Sequence, residues 1–188
     1  MEYRLSIKES HDNLSVTYRI YEGKQKTGEI RFPIGNAKKH IEIKRKYDGV
    51  VTKIEFASDK ERKERLLLRI YNENDEIIGR LKDKTKRSKL NDEFVRFSNG
   101  TMYYKGTRYH VENKSDEIII KKHMKIRGKI GIKSVSENSV TYNVESEKAK
   151  YVIPTIIIAI ATAYLNYARY NIDRYKKEIA KIEVKSSA

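Results

Sequence analysis

The sequence predicts a mainly β fold of about a dozen short antiparallel strands, closed as a barrel or stacked as a sandwich, ending in one long C-terminal helix. Three observations carry this. Side chains alternate with period two from residue 1 to about residue 145. Turn residues interrupt that alternation at short intervals. The run Tyr151 to Ala168, YVIPTIIIAIATAYLNYA, then carries no charge, in a chain whose residues are 36% charged.

Taken in order, the opening MEYRLSIKES alternates like a strand. Glu2 and Arg4 stand where a cleaved export signal needs an apolar stretch, so no such signal is expected there. Leu14, Val16, Tyr18 and Ile20 share one face, with Ser15, Thr17 and Arg19 on the other, and Gly28, Ile30, Phe32 and Ile34 repeat the pattern. Ile41, Ile43, Arg45 and Tyr47 lead into Asp48-Gly49, followed by Val50, Thr52, Ile54 and Phe56. Asp-Gly between alternating runs marks a two-residue hairpin, since both central positions must tolerate positive φ. Further strands are expected over 66–71, 77–81, 93–97, 102–105, 107–111, 117–122, 125–132 and 140–144, with Asn99-Gly100, Gly106 and Glu137-Asn138 as turns. So many short strands exceed a small open sheet, and closure would remove the exposed edges that invite aggregation. One hairpin repeats: Arg19-Ile20-Tyr21 then Gly28-Glu29-Ile30 matches Arg69-Ile70-Tyr71 then Gly79-Arg80-Leu81, with the second loop one residue longer.

After Lys150 the period changes. Pro154 suits a first helical turn. A helix apolar on all faces belongs inside a protein core or inside a bilayer. Beyond it, Tyr164, Ala168, Ile172, Tyr175, Ile179 and Ile182 fall at spacings of three and four, so an amphipathic helix should continue to about Val184.

Hairpins of the form Ile-Tyr, polar turn, Gly-x-Ile/Leu, above all RIYNENDEIIGRL over 69–81, followed by VIPTIIIAIATAYLN, resemble the tubby C-terminal-like superfamily. That group includes the phospholipid scramblases and the LURP-one-related proteins with their small bacterial members. The resemblance implies a twelve-stranded barrel over 1–168 with the helix 152–168 threaded through it, Val152, Ile153, Ile156, Ile157, Ile158, Ile160 and Leu165 filling its centre. Residues 169–188 would be an amphipathic helical extension. The cysteine-rich segment of animal scramblases and an acidic calcium-loop pattern are both missing, so scramblase chemistry is not implied.

The composition narrows function mainly by exclusion. At 188 residues the chain suffices for one domain. It has no cysteine, which rules out disulfides and thiolate metal sites and fits a cytosolic protein. No G-x-S-x-G, P-loop or G-x-G-x-x-G occurs, and His11, His40, His110 and His123 lack metal-ligand spacing, so neither enzyme activity nor a cofactor is expected. Lys and Arg total 41 against 26 Asp and Glu, a formal net charge of +15, which favours polyanions. The basic residues cluster as Lys44, Arg45 and Lys46; as Lys82, Lys84, Lys86, Arg87 and Lys89; and as Lys121, Lys122, Lys125 and Arg127, with Lys129 beside them. Near an anionic leaflet each such charge contributes about 1 kcal/mol, enough together for reversible recruitment. The expected function is therefore non-enzymatic, peripheral association with the cytoplasmic membrane surface through anionic phospholipid. Two rival readings stand beside it. The run 151–168 could be a single C-terminal transmembrane anchor. Alternatively, Tyr103, Tyr104 and Tyr109 beside Lys105 and Arg108 could form a stacking platform for single-stranded nucleic acid.

Overall fold

The computed structural model describes residues 1–12, 15–33, 53–57, 60–61, 64–85, 99–114, 117–136 and 139–164. Eleven strands lie among them: β1 Tyr3–His11, β2 Ser15–Glu22, β3 Gln25–Pro33, β4 Lys53–Phe56, β5 Leu66–Tyr71, β6 Ile77–Asp83, β7 Asn99–Tyr104, β8 Thr107–Lys114, β9 Glu117–Lys122, β10 Lys125–Ser136 and β11 Ser139–Ser146. A helix, α1, follows over 149–164. The strands form one antiparallel sheet in the order β3-β2-β1-β11-β10-β9-β8-β7-β6-β5-β4. Strands consecutive in the chain pair with each other, except β3 and β4 at the two edges, and β1 meets β11 to join the two ends of the strand series.

This register sorts the connections to two ends. The turns after β2, β5, β7 and β9, together with the start of α1, lie at one end, here the turn end. The C-terminal ends of β1, β3, β4, β6, β8 and β10 lie at the other, beside the last described turn of α1.

Alternation puts Leu5, Ile7, Val16, Tyr18, Ile20, Ile30, Leu68, Ile70, Leu81, Met102, Val111, Ile120, Ile130 and Val144 on one face, where all are buried. Every residue from Tyr151 to Tyr164 is buried as well. A helix can be covered on all sides only if the sheet curls around it. The sheet's two terminal strands accordingly approach each other on the inside, with Phe32 of β3 and Phe56 of β4 having ring centroids 5.3 Å apart. Tyr164 stands 4.4 Å from each ring. Among the described residues no backbone ladder joins β3 to β4, so the hydrogen-bonded sheet is open there.

The described part of the uncharged run, 151–164, is therefore core. Val152, Ile156, Ile157 and Ile158 have no exposed surface, and Ile153 and Ile160 are at most 5% exposed. Among the described residues no helix is long and apolar enough to cross a membrane. The packing needs Gly128 on β10, because a Cβ there would sit 2.4 Å from Oγ1 of Thr155 on α1. That Thr155 hydroxyl donates to the Tyr151 carbonyl at 2.6 Å, and the buried Ser146 hydroxyl reaches Thr155 Oγ1 at 3.2 Å.

The hairpin repeat has a physical basis. In both copies the isoleucine faces the glycine across the pair, Ile20 opposite Gly28 and Ile70 opposite Gly79, and in both the register shifts immediately afterwards. A Cβ on Gly28 would lie 3.2 Å from the Ile20 Cδ1, and one on Gly79 would lie 3.0 Å from the Ile70 Cδ1. Gly28 makes room for the isoleucine tip beside a bulge, and Gly79 also admits the β7 backbone, where the Tyr103 carbonyl oxygen would lie 2.4 Å from an added Cβ.

Three boundaries differ from the sequence expectation. Asn99-Gly100 is not a turn but the start of β7, held by the Lys84 amide donating to the Asn99 carbonyl at 2.8 Å and by pairing with Glu112 and Val111. β10 runs on to Ser136, because β11 supplies a partner past the end of β9. The helix is underway by residue 149, so Pro154 lies in its second turn rather than its first. An interior proline costs about 3 kcal/mol, which burial of Tyr151, Val152 and Ile153 at about 1.5–3 kcal/mol each outweighs. The Asp48-Gly49 hairpin, the strand over 93–97, the Glu137-Asn138 turn, Leu165 and the extension 169–188 lie outside the described residues.

Candidate functional site

Adjacent strands place their tips side by side at the turn end. The β7–β8 turn carries Lys105, the β9–β10 turn is flanked by Lys122 and Lys125, and the β11–α1 junction carries Lys148 and Lys150. Since the strand order there is β11-β10-β9-β8-β7, these five lysines form one continuous arc. Lys105, Lys125, Lys148 and Lys150 are exposed, and Lys122 is half-buried.

Two neighbouring cations are neutralised. Lys121 Nζ lies 2.7 Å from Glu112 Oε2, and its hydrogen bond holds that carboxyl below the usual range. Arg127 pairs with Glu147, whose carboxyl is likewise lowered, first by the Arg127 hydrogen bond and then by the charges of Arg127, Lys148 and Lys125. Lys122, Lys125 and Lys148 form no ion pair among the described residues. The Lys150 ammonium and the Arg127 guanidinium both lie 5.3 Å from the centre of the Tyr151 ring. The start of α1 at the same end adds a partial positive charge. The arc thus has more cations than local carboxylates can balance.

Not every residue singled out in the sequence joins it. Lys82 and Lys84 lie at the opposite end, where β6 leaves the sheet beside Thr101 and Gly100. Lys44, Arg45, Lys46, Lys86, Arg87 and Lys89 are outside the described residues. The three tyrosines do not share a surface. Tyr104 and Tyr109 are 6% and 4% exposed and point into the core, where Tyr109 meets Tyr151 edge to face at 6.2 Å. Tyr103 faces outward under the guanidiniums of Arg80 and Arg108. Alternation explains the split, because neighbours in a strand point to opposite faces. No group of three metal-ligating side chains occurs among the described residues.

At the opposite end the interior holds a polar cluster that alternation alone did not reveal. Glu9 follows Leu5 and Ile7 on the inward face of β1 and is 2% exposed. Its Oε1 lies 2.7 Å from His11 Nε2, and the Tyr142 hydroxyl donates to its Oε2 at 3.5 Å. Burial raises the Glu9 carboxyl above its ordinary value, opposed by the His11 hydrogen bond. The fully buried Tyr18 hydroxyl faces this carboxylate without a well-formed hydrogen bond, and burial, then the Glu9 charge, push it well above the usual phenol range.

Lys148 and Lys150 escaped the sequence reading, although two lysines directly before an uncharged helix were a usable signal. Met124 escaped it too, since a lone methionine in a lysine-rich turn has no pattern. Comparison with family models, with curated proteins and with solved structures returns no match for this chain.

Proposed function

We propose that this is a non-enzymatic protein that rests its turn end on an anionic phospholipid surface, peripherally at the cytoplasmic face of a membrane. One observation carries the reading: the arc of Lys105, Lys122, Lys125, Lys148 and Lys150 on adjacent tips at one end of the sheet. Tips gathered at one end of a sheet can reach a flat surface together, whereas lysines spread along strand faces cannot. At about 1 kcal/mol per charge near an anionic leaflet, such an arc supports reversible recruitment. The test is sedimentation with phosphatidylglycerol vesicles and with neutral phosphatidylcholine vesicles. Binding to the first only, with release as salt rises, is expected, because charges beyond about 10 Å are screened at 0.1 M. Equal binding to both vesicles, or to neither, would refute the reading.

The finer form of the fold belongs to the same proposal: a tubby-like barrel of twelve strands. Its support is the inward contact of Phe32 and Phe56 and the shared direction of the two terminal strands. Both β3 and β4 run from the turn end to the opposite end. One strand antiparallel to both would close the ring. The alternating Ile41, Ile43, Arg45 and Tyr47, ahead of Asp48-Gly49, have the required pattern. Amide exchange should find 41–47 as protected as β1, and full exchange within the dead time would count against a twelfth strand.

A further inference from the structure

The β9–β10 turn is built from two residues, His123 and Met124, with φ of 50° and 63°. Positive φ at both central positions is the geometry that Asn-Gly and Asp-Gly supply at low strain. The sequence places a histidine and a methionine there instead. The tight turns after β2 and β7 each include a glycine, Gly23 and Gly106, the latter beside Lys105 at φ 46°, whereas the β9–β10 turn has none. A bulky residue held at positive φ is strained, and a two-residue turn that holds two of them with no glycine points to a use for its side chains.

The Met124 side chain stands in water. It is 86% exposed, the most exposed of the large apolar residues among those described, and Ile126 beside it is 39% exposed. On either side stand Lys122 and Lys125, neither with an ion pair among the described residues. An apolar tip collared by cations matches a bilayer interface, where acyl chains lie just below anionic phosphates. A soluble acidic partner would use the lysines and leave the methionine without a role.

We propose that the His123–Met124 tip is a membrane anchor, with Met124 entering the boundary between headgroups and acyl chains of an anionic leaflet while Lys122 and Lys125 hold lipid phosphates. This rests on the anionic-surface reading above and names the element that penetrates the surface. It also fixes orientation, with the turn end down and the exposed Val135, at the far end of β10, pointing away from the bilayer.

The chain has no tryptophan, so a single introduced indole reports its own position. Met124→Trp and Val135→Trp, each in the full chain, are titrated with phosphatidylglycerol vesicles with and without brominated acyl chains. The expected result is a blue shift and bromine quenching at position 124 and neither at 135. Met124→Gly should bind the same vesicles about fivefold more weakly, as burial of part of a methionine side chain implies, while its Tm stays unchanged or rises because glycine suits the positive φ. If wild type fails to bind anionic vesicles, the surface reading and the anchor fall together. If wild type binds but the indole of Met124→Trp neither shifts nor is quenched, or Met124→Gly binds as well as wild type, the anchor alone is overturned. A vesicle-induced shift in Val135→Trp overturns the orientation. A blue shift in Met124→Trp that grows with protein concentration without vesicles assigns the tip to a second copy of the chain and likewise overturns the anchor.

Discussion

Glu9 is a carboxyl whose chemistry the fold alters. Inward alternation on β1 takes it out of water, and its partners His11 and Tyr142 only partly offset that burial, so its carboxyl titrates above the ordinary value near 4.5. By linkage, a carboxyl that binds its proton more tightly folded than unfolded stabilises the protein below the unfolded value, and that contribution is lost as pH rises through the folded one. Glu9→Gln should therefore raise Tm by a few degrees at pH 8 and change it little at pH 4, as measured by thermal melts across that range. A drop in Tm at pH 8 would show that the charged carboxylate is held favourably instead. Gly128 makes a steric claim at the same scale. Gly128→Ala drives a methyl into Thr155 and should cost about 1–3 kcal/mol, as overpacking does. In a double-mutant cycle with Thr155→Ala the two losses should fall short of additive, because the second removes the obstacle to the first. Additive losses would place the strain elsewhere.

At the scale of elements, α1 organises everything else. Ile156, Ile157 and Ile158 are buried on consecutive faces, and at about 1.5–3 kcal/mol each they rival a large share of a domain's net stability of about 5–15 kcal/mol. A chain ending at Lys150 should accordingly lack a cooperative melt by circular dichroism, and a truncated chain that melts sharply would contradict the helix-centred core. The helix was legible because it has no polar face, and so were most strands, because one side of each packs on it. Its environment was not, since an uncharged run reads alike in lipid and in protein. The Ile20–Gly28 and Ile70–Gly79 pairs were visible as a repeated string, though their reason, room beside a bulge for an isoleucine tip and, at Gly79, for the Tyr103 carbonyl, needed the register. Asn99-Gly100 was misread because a turn dipeptide can also begin a strand when a neighbour offers hydrogen bonds, as Lys84 and Thr85 do.

Over the whole molecule, topology turns scattered lysines into a surface. Lys105, Lys122, Lys125, Lys148 and Lys150 are distant in sequence, and only the order of β7 to β11 makes them neighbours. Composition supplied the net charge of +15 but not its placement, and Lys82 and Lys121, from two clusters both expected to face lipid, lie at opposite ends. The central claim, that the turn end meets an anionic bilayer, is tested most directly by moving the same charge change around the molecule. Lys122→Glu, Lys125→Glu and Lys148→Glu together are compared with Lys8→Glu, Lys60→Glu and Lys133→Glu, which leave the same net charge, by the Kd for phosphatidylglycerol vesicles at fixed salt. At about 1 kcal/mol per charge, the turn-end triple should weaken binding by about a hundredfold or more and the control triple by only a few-fold. Equal loss in both would show that only total charge matters and that the turn end is not the binding face.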